Sequence, residues 1–415
     1  MSYALCCGHE TVFRKLPWIG LRIETAFEHI FLIPARWLAV HYLHLTGAAA
    51  VIHPSAFADR ALDWIAAGLM LTLALVVTLA WSLIDELPKP RRLAYPLLFE
   101  ILRWILRITL VISILWYGAI KIFPIQMDSP SLAVLNERVG DTSPMTMLWT
   151  VLGMNPAYER LCGAVETLCA LLLLFRRTAL AGAVLAIVVL TNIVLFDIFF
   201  DVAVRLYAFG LLAMALTLIV PDAQALLRFF FTRSPATPTT TWGLPDAPRS
   251  LRAAALLFEV CLFLSAFKPI FSQEHRQSQR ELANEQHPAA VAGQWHIDSS
   301  SPAADPLRGG NGELITDIFL EPSGRLNLRS TDRRLWGGGT YDAASHKLAA
   351  VAGMRGVPYT FTQPEPNHLI LTPASTSSND PTLQLTRVPL PADYPLLQRI
   401  HDRSLHLVEE WGFLR

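Results

Sequence analysis

Long apolar segments occupy most of the chain up to about residue 270, and they restrict it to folds built from nearly continuous hydrophobic helices. A helix needs about 20 apolar residues to cross the hydrocarbon layer of a membrane. The composition agrees, because 53% of the 415 residues are hydrophobic and only 16% are charged. The sequence therefore predicts a membrane all-α bundle of about seven transmembrane helices, over Ile23 to Leu43, Ala61 to Ile84, Leu97 to Phe123, Tyr158 to Phe175, Thr178 to Phe200, Val202 to Val220 and Leu251 to Ile270.

The first of these segments is the weakest, because Glu28, Pro34 and Arg36 interrupt it. A re-entrant or interfacial helix is the alternative to a span at this position. The residues before it contain no short apolar core followed by a small-residue cleavage site, so we expect no cleavable signal peptide.

Basic residues are concentrated in alternate loops between the predicted spans. They are Arg14, Lys15 and Arg22, then Lys89, Arg91 and Arg92, then Arg176 and Arg177, then Arg228, Arg233 and Arg249. Because cytoplasmic loops carry an excess of Lys and Arg, this pattern places the N-terminus in the cytoplasm. With seven spans, everything after about Ile270 lies outside. We expect a multi-pass protein of the bacterial cytoplasmic (inner) membrane with a periplasmic C-terminal domain.

Residues 291–390 have a different composition, rich in Gly, Pro, Ser and Thr around short alternating runs. The runs Leu314 to Leu320 and Leu326 to Leu328 flank a tetrapeptide, Glu321 to Gly324, that is typical of a hairpin turn. Six or seven such strands predict a small antiparallel β barrel or sandwich. The other strands are expected at Gly339 to Tyr341, Lys347 to Val351, Tyr359 to Phe361, His368 to Leu371 and Leu383 to Thr386.

Two further stretches flank this predicted domain. Residues 272–290 are charged and Gln-rich, which indicates a linker that is either a solvated helix or a tether. Residues 391–415 carry apolar side chains at near-helical spacing from Tyr394 to Trp411. We expect this C-terminal helix or tail to pack on the barrel rather than on the bilayer.

Five polar residues lie on one side of the third predicted span. Glu100, Arg103, Arg107, Tyr117 and Lys121 fall within about a quarter-turn of each other on a helix. Charge inside lipid is costly and normally faces a bundle interior or a water-filled cavity. We expect Arg103 and Arg107 to be anchors at the cytoplasmic end, and Tyr117 and Lys121 to belong to the outer end.

Asp197, Asp201 and Arg205, on other predicted spans or next to them, converge on that outer end. Glu166 and Asn192 are expected somewhat deeper in the membrane. An ion pair between Asp201 and Arg205 is expected if the helix persists across their four-residue spacing. A buried Glu166 without a cation within reach would bind a proton. A snorkelling Lys121 and a neutral packing role for Glu166 are the structural alternatives. The candidate ligand-binding residues are Tyr117, Lys121, Glu166, Asn192, Asp197, Asp201 and Arg205. No catalytic residue is predicted.

Cysteine and histidine spacing argues against several kinds of chemistry. None of the five cysteines forms a C-x-x-C pair and none lies after Cys261, so a disulfide framework, a zinc site and a thiol oxidoreductase are all disfavoured. His41 and His44 share a helical spacing, but that face offers no third ligand. We therefore predict no metal site. The glutamate in the last span, Glu259, is expected to make an interhelical contact.

Several short motifs follow one another in a recognisable order. They are Tyr117 to Pro124, then Ser143-Pro144 with Leu148-Trp149, then Gly163 with Glu166 and Leu171 to Thr178, then Asp201 to Tyr207 followed by Pro221-Asp222. Together they cover roughly Arg103 to Phe231 and resemble the DoxX-like family of integral membrane proteins. The chain has Ala203 where the family pattern has proline, and Arg205 where it has lysine. Arg205 therefore keeps the positive charge of the family pattern, but the turn before it lacks the proline.

This resemblance implies a DoxX-like four-helix core over residues 96–231. N-terminal membrane helices (1–95) would precede it, and a cytoplasmic loop with the last transmembrane helix (232–271) would follow. In some relatives of the family the core serves quinone-linked sulfur oxidation or envelope redox complexes. A quinone headgroup needs a few hydrogen-bond donors, for which Tyr117, Lys121 and Arg205 are candidates.

Three functions compete at this point. The first is an accessory component of an envelope redox or stress system, in which the core binds a quinone or lipid and the β domain binds a partner or ligand. The second is a transporter or permease of unknown solute, although no inverted repeat is evident. The third, a thiol oxidoreductase, is disfavoured, and whether the protein is an enzyme stays open. The expected partners are the lipid bilayer and a periplasmic or membrane protein. Nucleic acid is not expected, because the net charge is zero.

Overall fold

The computed structural model describes residues 28–46, 59–86, 96–127, 129–232, 249–300, 307–308, 312–350, 358–374, 381–391 and 394. These residues divide into two compact units. The helical unit contains the described residues from Met1 to Phe123 and from Arg160 to Glu274. The barrel unit contains those from Pro124 to Glu159 and from His275 to Arg415.

The helices are defined as follows. They are α1 (Ile33–His41), α2 (Ala61–Glu86), α3 (Pro96–Ile122), α4 (Leu132–Leu135), α5 (Pro144–Gly153), α6 (Pro156–Leu174), α7 (Ala179–Phe199), α8 (Arg205–Ile219) and α9 (Arg249–Gln286). A π-helical turn, Glu28–Leu32, precedes α1. Short 3-10, α and π turns, Val220–Asp222, Ala223–Leu227 and Arg228–Thr232, continue α8.

Three helical stretches in the described part of the chain are long and apolar enough to cross a membrane. They are Ala61–Ile84, Ala179–Phe199 and Arg205–Thr232. The prediction of seven spans is not supported. The first predicted segment contributes a helix of only nine residues, α1. The segments that form α3 and α6 are long, but charged residues interrupt them, such as Arg107 in α3 and Glu166 in α6.

Helix α3 lies at the centre of the helical unit. Its residues Leu110, Val111 and Ile112 follow one another and are all buried, so the helix is covered on every side at this level. The apolar core joins α3 to four other helices. These contribute Leu173 from α6, Ala183 and Leu190 from α7, Leu211 and Leu218 from α8, and Phe263 from α9. Charges on α3 are therefore enclosed by protein.

The second half of α2 has the opposite environment. Apolar side chains from Leu71 to Ile84 are exposed on all sides of the helix. Its hydroxyl groups are nevertheless satisfied, because Thr72, Thr78 and Ser82 each donate to the backbone carbonyl four residues earlier, at 2.7–2.8 Å. A helix with an apolar surface and internally paired polar groups is suited to a hydrocarbon environment.

Eight antiparallel strands form a closed barrel in chain order, with β8 pairing back to β1. They are β1 (Gly293–Ser300), β2 (Ile315–Leu320), β3 (Arg325–Ser330), β4 (Leu335–Asp342), β5 (Lys347–Ala350), β6 (Pro358–Glu365), β7 (His368–Pro373) and β8 (Leu383–Val388). The predicted barrel is confirmed, but six or seven strands was too few. The prediction missed β1, which contains only two apolar residues, Trp295 and Ile297.

The predicted hairpin between β2 and β3 is also present. The Glu321 N–H donates to the carbonyl of Arg325 at 2.9 Å, and the Gly324 N–H donates to the carbonyl of Glu321 at 2.9 Å. Gly324 has φ of +91°, a left-handed conformation that glycine adopts at little cost. The turn residues thus set the register of these strands.

Large side chains fill the barrel. Trp295, Tyr359, Leu328 and Leu369 are fully buried within one apolar cluster. The Arg387 guanidinium covers the Trp295 ring at 4.5 Å from its centroid. An eight-stranded barrel has an interior just wide enough for side chains or one small ligand, and here side chains occupy it.

Residues 124–159 belong to the barrel unit rather than to the helical one. The predicted core, 96–231, had included them. The structure also extends α9 to Gln286, so most of the predicted linker, 272–290, is helix. Apart from Pro391 and Tyr394, the predicted C-terminal helix or tail lies outside the described residues.

Candidate functional site

Two glycines bring α3 and α6 into close contact. A Cβ atom built on Gly118 would lie 2.6 Å from Thr167 Oγ1, and one built on Gly163 would lie 2.6 Å from the Gly118 carbonyl oxygen. The same Gly163 position would lie 2.8 Å from the Cβ of Lys121. Only glycine at these positions lets the two helices approach so closely. The contact places Lys121 of α3 beside Glu166 of α6.

Lys121 and Glu166 form a buried ion pair. The Lys121 Nζ lies 2.6 Å from Glu166 Oε1 and 2.8 Å from Oε2, so the ammonium contacts both carboxylate oxygens. The two side chains are only 6% and 5% exposed. The snorkelling alternative for Lys121 is therefore wrong. Glu166 has a cation within reach, which removes the condition under which we expected it to bind a proton.

An aromatic ring, that of Tyr117, lies beside this pair. The Lys121 Nζ lies 5.5 Å from the centroid of the Tyr117 ring, within cation–π distance. The Tyr117 ring in turn lies 5.8 Å from the Tyr207 ring of α8. The aromatic contacts extend the site from α3 to α8. Tyr207 was not among the predicted site residues, although it closes the Asp201 to Tyr207 motif.

A second ion-pair cluster lies at the start of α8. The Asp59 carboxylate accepts hydrogen bonds from Arg205 Nε at 2.9 Å and from the backbone N–H groups of Arg205 and Leu206 at 2.8 and 2.9 Å. Arg205 Nη2 also lies 3.2 Å from Asp201 Oδ1. Asp59 thus pairs with a cation and caps a helix N-terminus.

The predicted Asp201–Arg205 pair is confirmed, but continuous helix is not its cause. Asp201 has φ of +55°, and α8 begins only at Arg205. A tight turn carries the Asp201 carboxylate back to the guanidinium. Asp59 was missed altogether, because it lies 146 residues from Arg205 and outside every predicted span.

Asp197 of α7 is buried at the same end of the helical unit, at 2% exposure. Its Oδ2 atom has no hydrogen-bond partner among the described residues. The charges of Asp59, Arg205 and Lys121 act on it, so it lies near both ion-pair clusters. Asn192 is different, since it occupies the exposed face of α7. The structure does not bring Asn192 into the site, contrary to the prediction.

The N-terminal half of α3 holds a different ion-pair cluster. Arg107 Nη2 lies 2.5 Å from Glu259 Oε1 of α9, and Trp104 Nε1 donates to the same oxygen at 3.0 Å. Arg103 Nη1 lies 3.0 Å from Glu100 Oε1. Arg103 and Arg107 are 2% and 3% exposed, so the prediction that they are membrane-surface anchors is wrong. The predicted interhelical contact of Glu259 is confirmed.

The barrel unit contains its own buried carboxylate. Glu321 accepts hydrogen bonds from the N–H groups of Leu132 and Ala133 at 2.7 and 3.1 Å, and from Asn327 Nδ2 at 3.0 Å. Burial raises the pKa of Glu321 despite these donors. Burial and the adjacent carboxylate raise the pKa of Tyr341 to about 12.

Asp317, on β2, shows the opposite shift. Burial tends to raise its pKa, but hydrogen bonds from Thr316, Arg329 and Gln294 outweigh burial and lower it. The donors lie 2.8 to 3.2 Å from the carboxylate oxygens. Carboxylates that are hydrogen-bonded in this way stay ionised.

The described part of the chain contains no group of three or more His, Cys, Asp or Glu side chains placed to hold a metal ion. Cys162, Cys169 and Cys261 are free thiols, and Cys169 is fully buried on α6. A buried thiol is usually a small core residue.

Fold and site together define a class of protein. Its described residues are mostly helical, with three helices able to cross a membrane, buried ion pairs between helices, and a closed eight-stranded barrel. No protein-family model matches the chain. It is similar to the uncharacterized protein YwoB of Bacillus subtilis (strain 168), with 38% identity over 85 residues. That match covers 20% of this chain and 55% of YwoB, so it spans about half the length of that relative. No solved structure matches.

Proposed function

We propose that this chain is an integral membrane protein with a DoxX-like core that binds a quinone or lipid headgroup beside Tyr117 and Lys121. In this proposal it is an accessory component of an envelope redox or stress system. The buried Lys121–Glu166 pair is the observation that carries the proposal. Buried charge between apolar helices is costly and is usually kept for function.

The surroundings of this pair support a headgroup site. Tyr117 is only partly buried, and its ring lies beside the Lys121 ammonium and at a tilt to the Tyr207 ring. A flat aromatic headgroup favours such rings through offset or edge-on contacts. Lipid tails would contact the apolar helix surfaces that remain exposed, such as Leu195 and Ile198 of α7.

We also propose that the protein resides in the bacterial inner membrane, with the barrel on the periplasmic side. The proposal requires α9 to cross the membrane as well, because loop charge places the end of α8 on the cytoplasmic side. Arg176 and Arg177, in the turn between α6 and α7, and Arg228 after α8 are basic. The loop between α7 and α8 instead contains Asp201. A reporter fused after Arg415 tests the orientation: one active only in the periplasm should report, and one active only in the cytoplasm should stay silent.

The barrel is proposed to bind a periplasmic partner or ligand through its outer surface and loops. Its interior is occupied by Trp295, Tyr359 and the aliphatic residues around them. A ligand inside the barrel would have to displace those side chains. Partner binding by the outer surface needs no such change.

Native mass spectrometry of the detergent-extracted protein tests headgroup binding. We expect a lipophilic molecule to remain bound to the wild type and to be lost from Lys121→Met/Glu166→Met, which removes both charges at similar volume. The matched control is Arg107→Met/Glu259→Met, which removes the buried pair in the N-terminal half of α3 and should keep the molecule. Equal retention in both double variants would exclude the Lys121 site.

A transporter of an unknown solute is the second candidate. Buried ion pairs at two levels of α3 favour it, because Arg107 and Lys121 are about 21 Å apart along the helix. Charged residues at two depths are typical of a pathway through a bundle. Proteoliposomes should then show solute or ion flux that either double variant abolishes. Absence of flux across a broad panel would leave the headgroup site as the better proposal.

A further inference from the structure

Both cations of the proposed site already hold carboxylates. The Lys121 ammonium contacts both oxygens of Glu166. The Arg205 guanidinium contacts Asp59 and Asp201. The sequence suggested that these cations would donate hydrogen bonds to a bound headgroup. In the structure these acids already engage donors of both cations, so fewer donors remain for a headgroup that can only accept.

A buried acceptor, the Asp197 carboxylate, also lies at this end of the helical unit. Asp197 is 2% exposed, and its Oδ2 has no hydrogen-bond partner within the described ranges. Buried polar atoms are paired in the great majority of native structures, and each exception calls for an explanation. An ionised carboxylate oxygen accepts hydrogen bonds only, so the partner of an ionised Asp197 must bring the hydrogen.

We propose that Asp197 determines ligand choice at this site by requiring a headgroup that donates a hydrogen bond, such as a phenolic hydroxyl or a primary ammonium. The inference rests on the proposed headgroup site and gives its ligand a chemical class. Among quinones it selects the hydroquinone form, whose hydroxyl groups donate, over the oxidised form, whose carbonyl groups only accept. Among phospholipids it selects ethanolamine over choline, which carries no N–H.

The size of the preference follows from hydrogen-bond energetics. A donor that reaches Asp197 Oδ2 forms a charge-assisted hydrogen bond. A carbonyl in the same place sets two acceptors against each other and leaves both buried without a partner. We expect the wild type to bind the donor-bearing form at least about tenfold more tightly, since a single hydrogen bond to a charged group is large enough for that ratio.

Binding of matched ligand pairs to the full-length protein in detergent, at about pH 8.5 to keep Asp197 ionised, tests this inference. One arm compares a short-chain hydroquinone with its quinone under anaerobic conditions. The other compares nanodiscs of phosphatidylethanolamine with nanodiscs of phosphatidylcholine, and so separates the two sources of a donor. In whichever arm binds, the donor-bearing form should bind at least about tenfold more tightly.

The variant Asp197→Asn keeps the shape of the side chain and adds an N–H donor. We expect it to reduce the ratio to about one or to reverse it. Asn192→Ala, on the exposed face of the same helix, is the matched control and should keep the wild-type ratio. A wild-type ratio near one overturns the inference without needing the variant, and so does a ratio that Asp197→Asn leaves unchanged.

The two proposals fail in different ways. If the wild type binds both members of a pair equally and Lys121→Met/Glu166→Met abolishes that binding, the headgroup site stands and the role of Asp197 is wrong. If the wild type binds no member of either pair, the headgroup site itself is wrong, and the inference falls with it.

Discussion

Glu166 and Glu321 are both almost completely buried, one in the helical unit and one in the barrel unit, but they are held in different ways. Glu166 is neutralised by a single cation, Lys121. Glu321 is held by the backbone N–H groups of Leu132 and Ala133 and by a side-chain amide. Removing the partner of Glu166 leaves a buried charge, whereas removing Glu321 leaves buried donors. The first loss is the more costly of the two.

The largest expected effect is therefore that of Lys121→Ala. It leaves the Glu166 carboxylate buried without a counter-charge, and we expect a loss of about 3–5 kcal/mol of stability. Unfolding of the purified protein in denaturing detergent, followed by tryptophan fluorescence, measures the loss. The control is Lys121→Met/Glu166→Met, which removes both charges and should be close to wild type. Wild-type stability of Lys121→Ala would show that Glu166 has another partner or is neutral.

The helix contact that positions this pair should be almost as sensitive. In Gly163→Ala the new Cβ would lie 2.6 Å from the Gly118 carbonyl oxygen and 2.7 Å from the Ile122 nitrogen, so α3 and α6 must separate. We expect a loss of about 1–3 kcal/mol in the same unfolding measurement. Gly68→Ala is the control, because nothing lies within 4 Å of its Cβ position and alanine favours helix. A control that destabilises as much as Gly163→Ala would disprove the close-contact explanation.

In the barrel unit, Glu321→Ala should expose the backbone it holds. Leu132 and Ala133 lose their acceptor, at a cost of about 1–3 kcal/mol. Hydrogen–deuterium exchange of the full-length protein should show faster exchange of these two amides. Glu365→Ala, at an exposed carboxylate, is the matched control and should leave their exchange unchanged. Unaltered protection in Glu321→Ala would mean that another group holds α4.

The smallest effect is a pH dependence of opposite sign at two acids of the barrel unit. Burial raises the folded-state pKa of Glu321, so its favourable contribution is complete below its unfolded pKa and is lost as pH rises through the folded one. The pKa of Asp317 is lowered, so its contribution is present above its unfolded pKa and is lost as pH falls through the folded one.

Two variants separate these contributions. Relative to wild type, Glu321→Gln should gain stability as pH rises from about 4 to about 7, because it removes an ionisation that the fold disfavours. Asp317→Asn should lose about 1 kcal/mol near neutral pH and progressively less in acid. Unfolding curves across this pH range measure both trends. Parallel curves for the two variants would contradict the assigned pKa directions.

Local sequence patterns predicted much of the fold. Apolar length identified α2, α7 and α8, and two-residue alternation with a turn tetrapeptide identified most of the barrel. The sequence also predicted that Tyr117 and Lys121 lie on one side of α3, because helical periodicity fixes which side chains share a face. Glycines at 118 and 163 could be noted in sequence, but their contact could not, since it joins two separate helices.

The partners of the charges were much harder to predict. Arg107 pairs with Glu259, which is 152 residues away, and Arg205 pairs with Asp59, which is 146 residues away. A charge in an apolar segment is visible in sequence, but its counter-charge has no fixed spacing. That is why Arg107 was expected at the membrane surface. Asp59 precedes its helix in a stretch with no apolar periodicity, so no signal pointed to it.

The grouping of residues 124–159 with the barrel has a consequence for how this protein can be divided. The chain changes unit after Phe123, after Glu159 and after Glu274, so the barrel unit is made of two separate stretches of sequence. A truncated gene that starts at residue 275 would encode all eight strands, yet it would omit the backbone that Glu321 holds. The barrel is therefore not an exchangeable C-terminal module. Any recombination of the domains, natural or engineered, must therefore keep the segment between α3 and α6 together with the barrel.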